Sequence, residues 1–328
     1  MTLYDPSLSA QPPEACSAQP TIDRISCSNL TANQFANCYR KLGVPVILTD
    51  LFNLNADWDL DYLTQQLGDR EFLLRYYGRA RYEQDKRDWT SIGSGVQTQS
   101  QPFRTYAELI RSGEAYQQDI YLGKCSLQAT PLAESEPIAD LTAQLAELGL
   151  QQPASSLNLW IGSGHTECLH YDVMDGTLIQ LHGSKQVTLF PPSQTANLYP
   201  YPFYAHLRHG LKLRSWFSRV YPNRPDLQAF PKLRAALKHR HDVTLNPGEA
   251  LYIPAGWWHE VTAIGEDMVC SVNRFWRVYP TWRAWFLGNR WRVYLGTVCA
   301  IPKTLLQLGL ALLSRNRQQK LKEIRQML

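Results

Sequence analysis

Between Leu157 and Asn273 the chain repeats one short theme. Four to six apolar, β-branched or aromatic residues are followed by a break of Gly, Pro, Asp or Asn. The theme predicts strands at roughly Leu157–Ile161, Leu169–Asp172, Thr177–Leu181 and Gln186–Phe190. After an insertion it predicts more at Asp242–Leu245, Ala250–Ile253, Glu260–Ala263 and Met268–Asn273. Many short strands with Gly and Pro punctuation indicate a mainly β fold, a double-stranded β-helix or jelly roll.

The flanks read differently. Met1 to Pro20 is Pro-, Ser- and Ala-rich, the composition of a poorly ordered segment. Thr31-Ala32-Asn33-Gln34 fits a capping box and Gly43 a helix stop, with Phe35, Cys38 and Tyr39 on one face. A strand over Val44–Leu48, a helix over Asp59–Leu67 closed by Gly68 and a strand over Glu71–Tyr77 follow. Gly78 to Gln101 is polar, with Gly93-Ser94-Gly95 inside, and reads as a surface loop or a lid over a pocket. Thr105-Tyr106-Ala107-Glu108 fits a second capping box with Gly113 as its stop; Asp119–Gly123 reads as a strand and Ser135–Leu148 as a helix. With 328 residues and 44% hydrophobic content, the chain suffices for one large β domain with helical additions. The expected division is a disordered start over 1–20, a β domain over 21–276 and a basic helical region over 277–328.

One pattern in the strand-rich part carries chemistry. His170 and Asp172 are two apart, and such residues in a strand share a face. His259 follows the turn Pro254-Ala255-Gly256-Trp257 far downstream. Two histidines and one carboxylate on one face of an iron leave positions open for substrate and oxygen. Lys185 opens the strand that ends at Phe190, where it serves either as a point charge for an acidic cosubstrate or as a solvated turn residue. His206, His209, His239 and His241 lack a convincing set of further ligands. Cys168 reads as strand packing, and Trp257 and Trp258 as walls of the site or as core.

The run from Gly162 to Pro202, with His170-Tyr171-Asp172, Gly183-Ser184-Lys185 and Leu189-Phe190-Pro191-Pro192, resembles the cupin-like JmjC oxygenases, and within them the asparaginyl hydroxylase branch. The block from Pro247 through His259 to Trp276 is similar too. The resemblance implies Fe(II) held by His170, Asp172 and His259, with 2-oxoglutarate as cosubstrate and Lys185 on its distal carboxylate. It further implies cosubstrate contacts from Tyr121, Thr166 and Asn273, with Gln180 as a further candidate. Two departures stand out: Glu167 occupies the place of the family's hydroxyl residue, one position nearer His170 than Thr166, and Gly176 replaces an asparagine. The implied activity is a dioxygenase that hydroxylates a C–H bond, on a protein or peptide side chain first. A small metabolite, a lipid or a modified tRNA base stays open, as does a non-catalytic metal-binding scaffold or membrane-associated interaction protein.

The tail beyond Asn273 holds eleven Arg and Lys against one Glu, a surplus of ten; the whole chain carries +4, so the first 273 residues carry −6. Gly288 and Pro302 are expected to break the tail into helices. Three partners fit it: a second copy of the chain, as the resemblance implies, an anionic membrane, and, last, a nucleic acid. The seven cysteines, odd in number and without a C-x-x-C pair, read as reduced thiols of a cytoplasmic protein. The start shows no signal-peptide pattern, and the apolar run Val293–Leu313 is interrupted by Pro302-Lys303.

Overall fold

A computed structural model describes residues 21–51, 58–92, 96–314, 316–318, 320–321 and 324. The expectations for Met1–Pro20 and for Gly93-Ser94-Gly95 fall outside these residues. The chain enters as β1 (Asp23–Ser26), then turns into α1 (Ala32–Gln34), where Thr31 and Gln34 form the expected capping box. The helix continues as a π turn over Phe35–Arg40, and β2 (Val46–Thr49) follows. In α2 (Leu60–Leu67) the Asp59 carboxylate accepts from the Tyr62 amide at 2.8 Å, and Gly68 closes the helix with positive φ. Then come β3 (Glu71–Tyr76), β4 (Gln97–Pro102), α3 (Phe103–Arg111), α4 (Glu114–Gln117), β5 (Ile120–Ser126) and α5 (Glu136–Glu147). Two expectations are corrected here. The stretch 78–101 is not wholly loop, because its end pairs with β3 as β4. The helix expected to start at Thr105 starts at Phe103, since Phe103 and Tyr106 anchor it with no exposure and Pro102 supplies the extended entry.

The strand-rich part then runs β6 (Asn158–Gly162), β7 (Thr166–Tyr171), β8 (Asp175–His182) and β9 (Lys185–Phe190). The insertion contributes the short α6 (Ala205–His209) and α7 (Leu233–Leu237), before β10 (His241–Leu245), β11 (Ala250–Ile253), β12 (Trp258–Ala263) and β13 (Val269–Trp276). Two sheets result: nine strands in the order β1-β2-β11-β8-β13-β6-β5-β3-β4, and four in the order β10-β9-β12-β7. This is the jelly roll expected from the strand spacing. Its main core spans both the N-terminal elements and the large sheet, with Phe35, Phe103, Leu159, Ile179 and Tyr252 fully buried. A second cluster, including Tyr171, Phe190 and Trp258, lies beneath the small sheet.

The C-terminal segment forms α8 (Thr281–Phe286) and α9 (Gly288–Leu312). The Arg283 guanidinium on α8 reaches both oxygens of the fully buried Asp175 on β8, at 2.5 and 2.7 Å. Two helices do meet beside Gly288, with Leu287 as the break and Gly288 opening α9, but Pro302 lies inside α9, against the expected break. An interior proline forfeits one helical hydrogen bond; the leucines that follow favour helix, and α6 with Gly210–Lys212 braces the segment. The interrupted apolar run is therefore one 25-residue helix, long and apolar enough by composition to cross a membrane. Cys27, Cys125, Cys168, Cys270 and Cys299 are free, but Cys38 is disulfide-bonded, which corrects the expectation of reduced thiols throughout. A disulfide outside a C-x-x-C motif leaves no local signal in the sequence.

Candidate metal and cosubstrate site

The small sheet brings the two histidines together. β12 pairs antiparallel with β7, and His259 stands directly opposite His170. Their rings lie 4.3 Å apart between centroids. Asp172 follows the end of β7, and its carboxylate approaches His259 Nε2 at 3.5 Å. The Asp172 carbonyl accepts from the Gly256 amide at 2.8 Å, which ties the Pro254–Trp257 turn to the end of β7. Gly256 has φ of 86°, a conformation that side chains disfavour, so glycine is required for that turn.

The imidazoles are held in one tautomer. His170 Nδ1 donates to the Cys168 carbonyl at 2.8 Å, and His259 Nδ1 donates to the Trp257 carbonyl at 3.1 Å. A carbonyl only accepts, so each Nδ1 carries a proton, and the neutral ring offers its Nε2 lone pair to a metal. Burial, then the neighbouring His170, pushes the His259 pKa down to about 3, so its ring is neutral. Burial raises the Asp172 pKa, with His170 opposing it. One ligand atom from each of His170, Asp172 and His259 lies within 4.8 Å of the others, the only such group among the described residues. Two imidazoles and a carboxylate fit a ferrous ion with open positions.

This triad lines a cavity of about 470 Å³ between the sheets. Lys185, Tyr121, Asn273 and Gly176 line it as well. Lys185 is buried at the start of β9 and donates from Nζ to Ser271 Oγ at 2.5 Å; burial lowers its pKa to about 8. Asn273 accepts from Trp160 Nε1 at 2.8 Å, and Tyr121 stacks on His165 at 3.8 Å. Gly162 permits that position of Tyr121, because a Cβ there would lie 2.3 Å from the ring.

Other candidates lie elsewhere. Thr166 is not among the lining residues and meets Thr262, with the two hydroxyls 3.1 Å apart. A β-bulge explains it: His170 faces His259 and Glu167 faces Val261, so Cys168 and Leu169 together stand opposite Glu260. The extra residue reverses the alternation, and Glu167 lines the cavity. Gln180 donates to the carbonyls of His182 and Gly183 in the turn before β9, away from the cavity. Trp258 is core and donates to Thr195, while Trp257 donates to the Gly43 carbonyl; neither lines the cavity. His206 is buried under α9, bonded to the Gly210 carbonyl and the Ser215 amide.

Two features escaped sequence reasoning. The first is a buried chain running from Tyr82 through Asp119 and His165 to Glu167. Tyr82 donates to Asp119 at 2.6 Å, Asp119 and His165 Nδ1 are 2.7 Å apart, and His165 Nε2 lies 3.8 Å from Glu167. Burial opposes the charge on Glu167, yet His165, His170 and Arg81 together hold its pKa down at about 2. Burial likewise opposes charge on His165, but Asp119 and Glu167 more than offset it and raise its pKa. The second is a cationic wall: Arg75 from β3, Lys124 from β5, and Lys212 and Arg214 from the insertion. Burial, then repulsion from Arg214 and Arg75, lowers the Lys124 pKa. The insertion reaches the cavity because Trp216–Ser218 adds to the free edge of β7; the Tyr171 amide donates to Trp216 and the Ser218 amide to Leu169. Phe217 thereby stacks on His170 at 4.8 Å. The Tyr-, Arg- and Pro-rich composition of the insertion was the one visible signal.

Residues 32–281 match the family model described as a Cupin-like domain. The lysine-specific demethylase JMJ31 of Arabidopsis thaliana is 29% identical over 193 residues, covering 56% of this chain and 32% of that protein. HSPB1-associated protein 1 of Homo sapiens is 42% identical over 118 residues, 35% of this chain and 22% of that protein. The chain thus spans about a third of the first and a fifth of the second. The tRNA wybutosine-synthesizing protein 5 of Mus musculus is 28% identical over 252 residues, 72% of each. With most of its length matched and a jelly roll carrying the His-Asp-His group, this chain belongs to the cupin-like JmjC domain family.

Proposed function

We propose that the protein is an Fe(II)- and 2-oxoglutarate-dependent oxygenase that hydroxylates a C–H bond. The observation that carries this reading is the convergence of two Nε2 lone pairs and one carboxylate in a cavity that also holds the buried Lys185. His170, Asp172 and His259 would hold the iron, and Lys185 the distal carboxylate of the cosubstrate. Bound together, iron and 2-oxoglutarate would activate dioxygen, the oxidant, for hydroxylation. The chain's own residues do the rest. The Cys168 and Trp257 carbonyls fix the imidazoles, and Ser271 positions the Lys185 ammonium. Tyr121 and Asn273 shape the cosubstrate end, while Phe217, Val261 and Ile253 keep water from the reacting centre. Thr166 has no part in this arrangement, and Glu167 stands where it was expected.

The substrate proposed first is a protein or peptide side chain, on the family resemblance. A second reading, a modified tRNA base, has two observations in its favour: the cations Arg75, Lys124 and Arg214 on the cavity wall, and the mouse relative named for wybutosine synthesis. The division into an oxygenase domain over 21–276 and a basic helical region over 277–328 belongs to the same proposal. The test is succinate release from 2-oxoglutarate by purified protein supplied with ferrous iron. Release that is lost in His170→Ala supports the reading; release that survives that substitution, or none from the unaltered protein with any substrate class, rejects it. A mass loss of one oxygen in a peptide or in a tRNA nucleoside, from cells lacking the protein, separates the two substrates.

A further inference from the structure

We propose that α8 and α9 form a docking face for an anionic bilayer, with α9 lying along the membrane surface. The first observation is how little of α9 the domain covers. Its buried residues are Asn289, Gly296, Ala300 and Ala311, a narrow stripe of small side chains. Gly296 sits so close to Ser215 and His206 that a Cβ would meet them at 2.6 to 2.8 Å. Large side chains stay exposed along both helices: Trp285 (65%) and Phe286 (81%) on α8, Val298 (61%) and Leu305 (60%) on α9, and Leu313 (87%) at its end. Only 17% of the most apolar window of α9 is buried, whereas the core helix of a soluble domain is mostly covered. A patch of this extent marks an interaction site.

Its chemistry selects lipid. At the start of the face stand Trp282, Trp285, Trp291 and Tyr294, the amphipathic rings that settle at headgroup level, with Phe286 packed on Trp282. Trp291 packs on Trp285 and Tyr294, so the rings form one cluster. No Asp or Glu occurs between Arg274 and Lys322, while Arg290, Arg292, Lys303, Arg315, Arg317 and Lys320 do. An apolar face bordered by cations alone complements anionic headgroups. Pairing two copies through it would instead bring two like-charged tails together.

The packing favours a lying over a spanning helix. α9 rests along α6 and Gly210–Lys212, a segment carrying Arg208, His209 and Lys212. A spanning α9 would drag those polar groups into hydrocarbon. A helix lying in the interface buries its outer face and leaves them in water. The same segment continues into Arg214, Trp216 and Phe217 of the cavity wall, so the docking face and the cavity share one support.

The test is flotation of the full chain with vesicles of phosphatidylcholine alone, and of phosphatidylcholine mixed with phosphatidylglycerol. Floating with the mixed vesicles, less with the neutral ones, and less again in high salt is the expected result. Phe286→Glu with Leu305→Glu, both on exposed positions, should lower the bound fraction about tenfold and leave the melting temperature unchanged. Brominated acyl chains should quench tryptophan fluorescence, and the quenching should vanish in a Trp282→Phe, Trp285→Phe, Trp291→Phe variant. Protein that stays at the bottom of the gradient with both vesicles overturns the proposal. So does a dimer in solution that the two Glu substitutions dissolve, with no vesicle binding.

Discussion

Replacing Arg283 by Met isolates the attachment of the C-terminal helices to the domain. The Asp175 carboxylate has no exposure and accepts four hydrogen bonds: two from Arg283, at 2.5 and 2.7 Å, one from the Ala255 amide at 2.9 Å and one from the Tyr279 amide at 3.2 Å. Methionine fills most of the arginine stem, so the cavity left behind is small. The loss falls on the stranded carboxylate, which loses both of its charged donors and keeps its two backbone donors. Removing one partner of such a buried pair costs about 3–5 kcal/mol. At roughly 2–4 °C per kcal/mol for large domains, the melting temperature should fall on the order of 10 °C. Urea unfolding followed by circular dichroism and by tryptophan fluorescence measures the free energy directly. Asp175→Asn in the Arg283→Met background removes the stranded charge and should recover at least about 1 kcal/mol. A loss below about 1 kcal/mol in the single variant, the scale of an exposed ion pair, would refute the argument that this contact is desolvated.

Three further outcomes follow from the site. Lys185 has its pKa lowered to about 8, so it loses its charge as pH rises through about 8; 2-oxoglutarate affinity, measured by calorimetry, should fall across that range. Lys185→Met should weaken affinity about 10- to 100-fold, the worth of a charge-assisted hydrogen bond, and flatten the pH profile. Gly162→Ala forces the Tyr121 ring off His165, because the new Cβ would lie 2.3 Å from it; a stability loss of about 1–3 kcal/mol and a raised KM for 2-oxoglutarate are expected. His170→Ala should reduce iron binding by more than the roughly 10- to 100-fold typical of losing an outer-shell partner, measured by metal analysis after dialysis.

The strands of the β domain were legible because short apolar and β-branched runs closed by Gly, Pro, Asp or Asn mark them, and every expected strand from Leu157 to Asn273 has its counterpart. Helix ends at Thr31, Asp59 and Gly68 were legible because caps are local chemistry. The triad was legible in part: His170 and Asp172 are neighbours, but His259 needed the turn before it and the family likeness. The bulge in β7 left no mark, since it depends on pairing with β12 rather than on residue type. Thr166 was therefore assigned to the cavity when Glu167 occupies it. The cationic wall was invisible for a related reason. Arg75, Lys124 and Arg214 come from three separate elements, and each alone resembles an ordinary surface charge. Pro302 misled because its own preference is strong, while the bracing of α9 by α6 is tertiary.

The bulge at Cys168–Leu169 makes the electrostatics of the cavity a question of chain length. Lengthening β12 by one residue opposite Cys168–Leu169 would restore regular pairing, return Thr166 to the lining and turn Glu167 outward, exchanging an anion for a neutral hydroxyl with no existing side chain altered. A homologue aligned without a gap at that point would seem to differ in composition when it differs only in count.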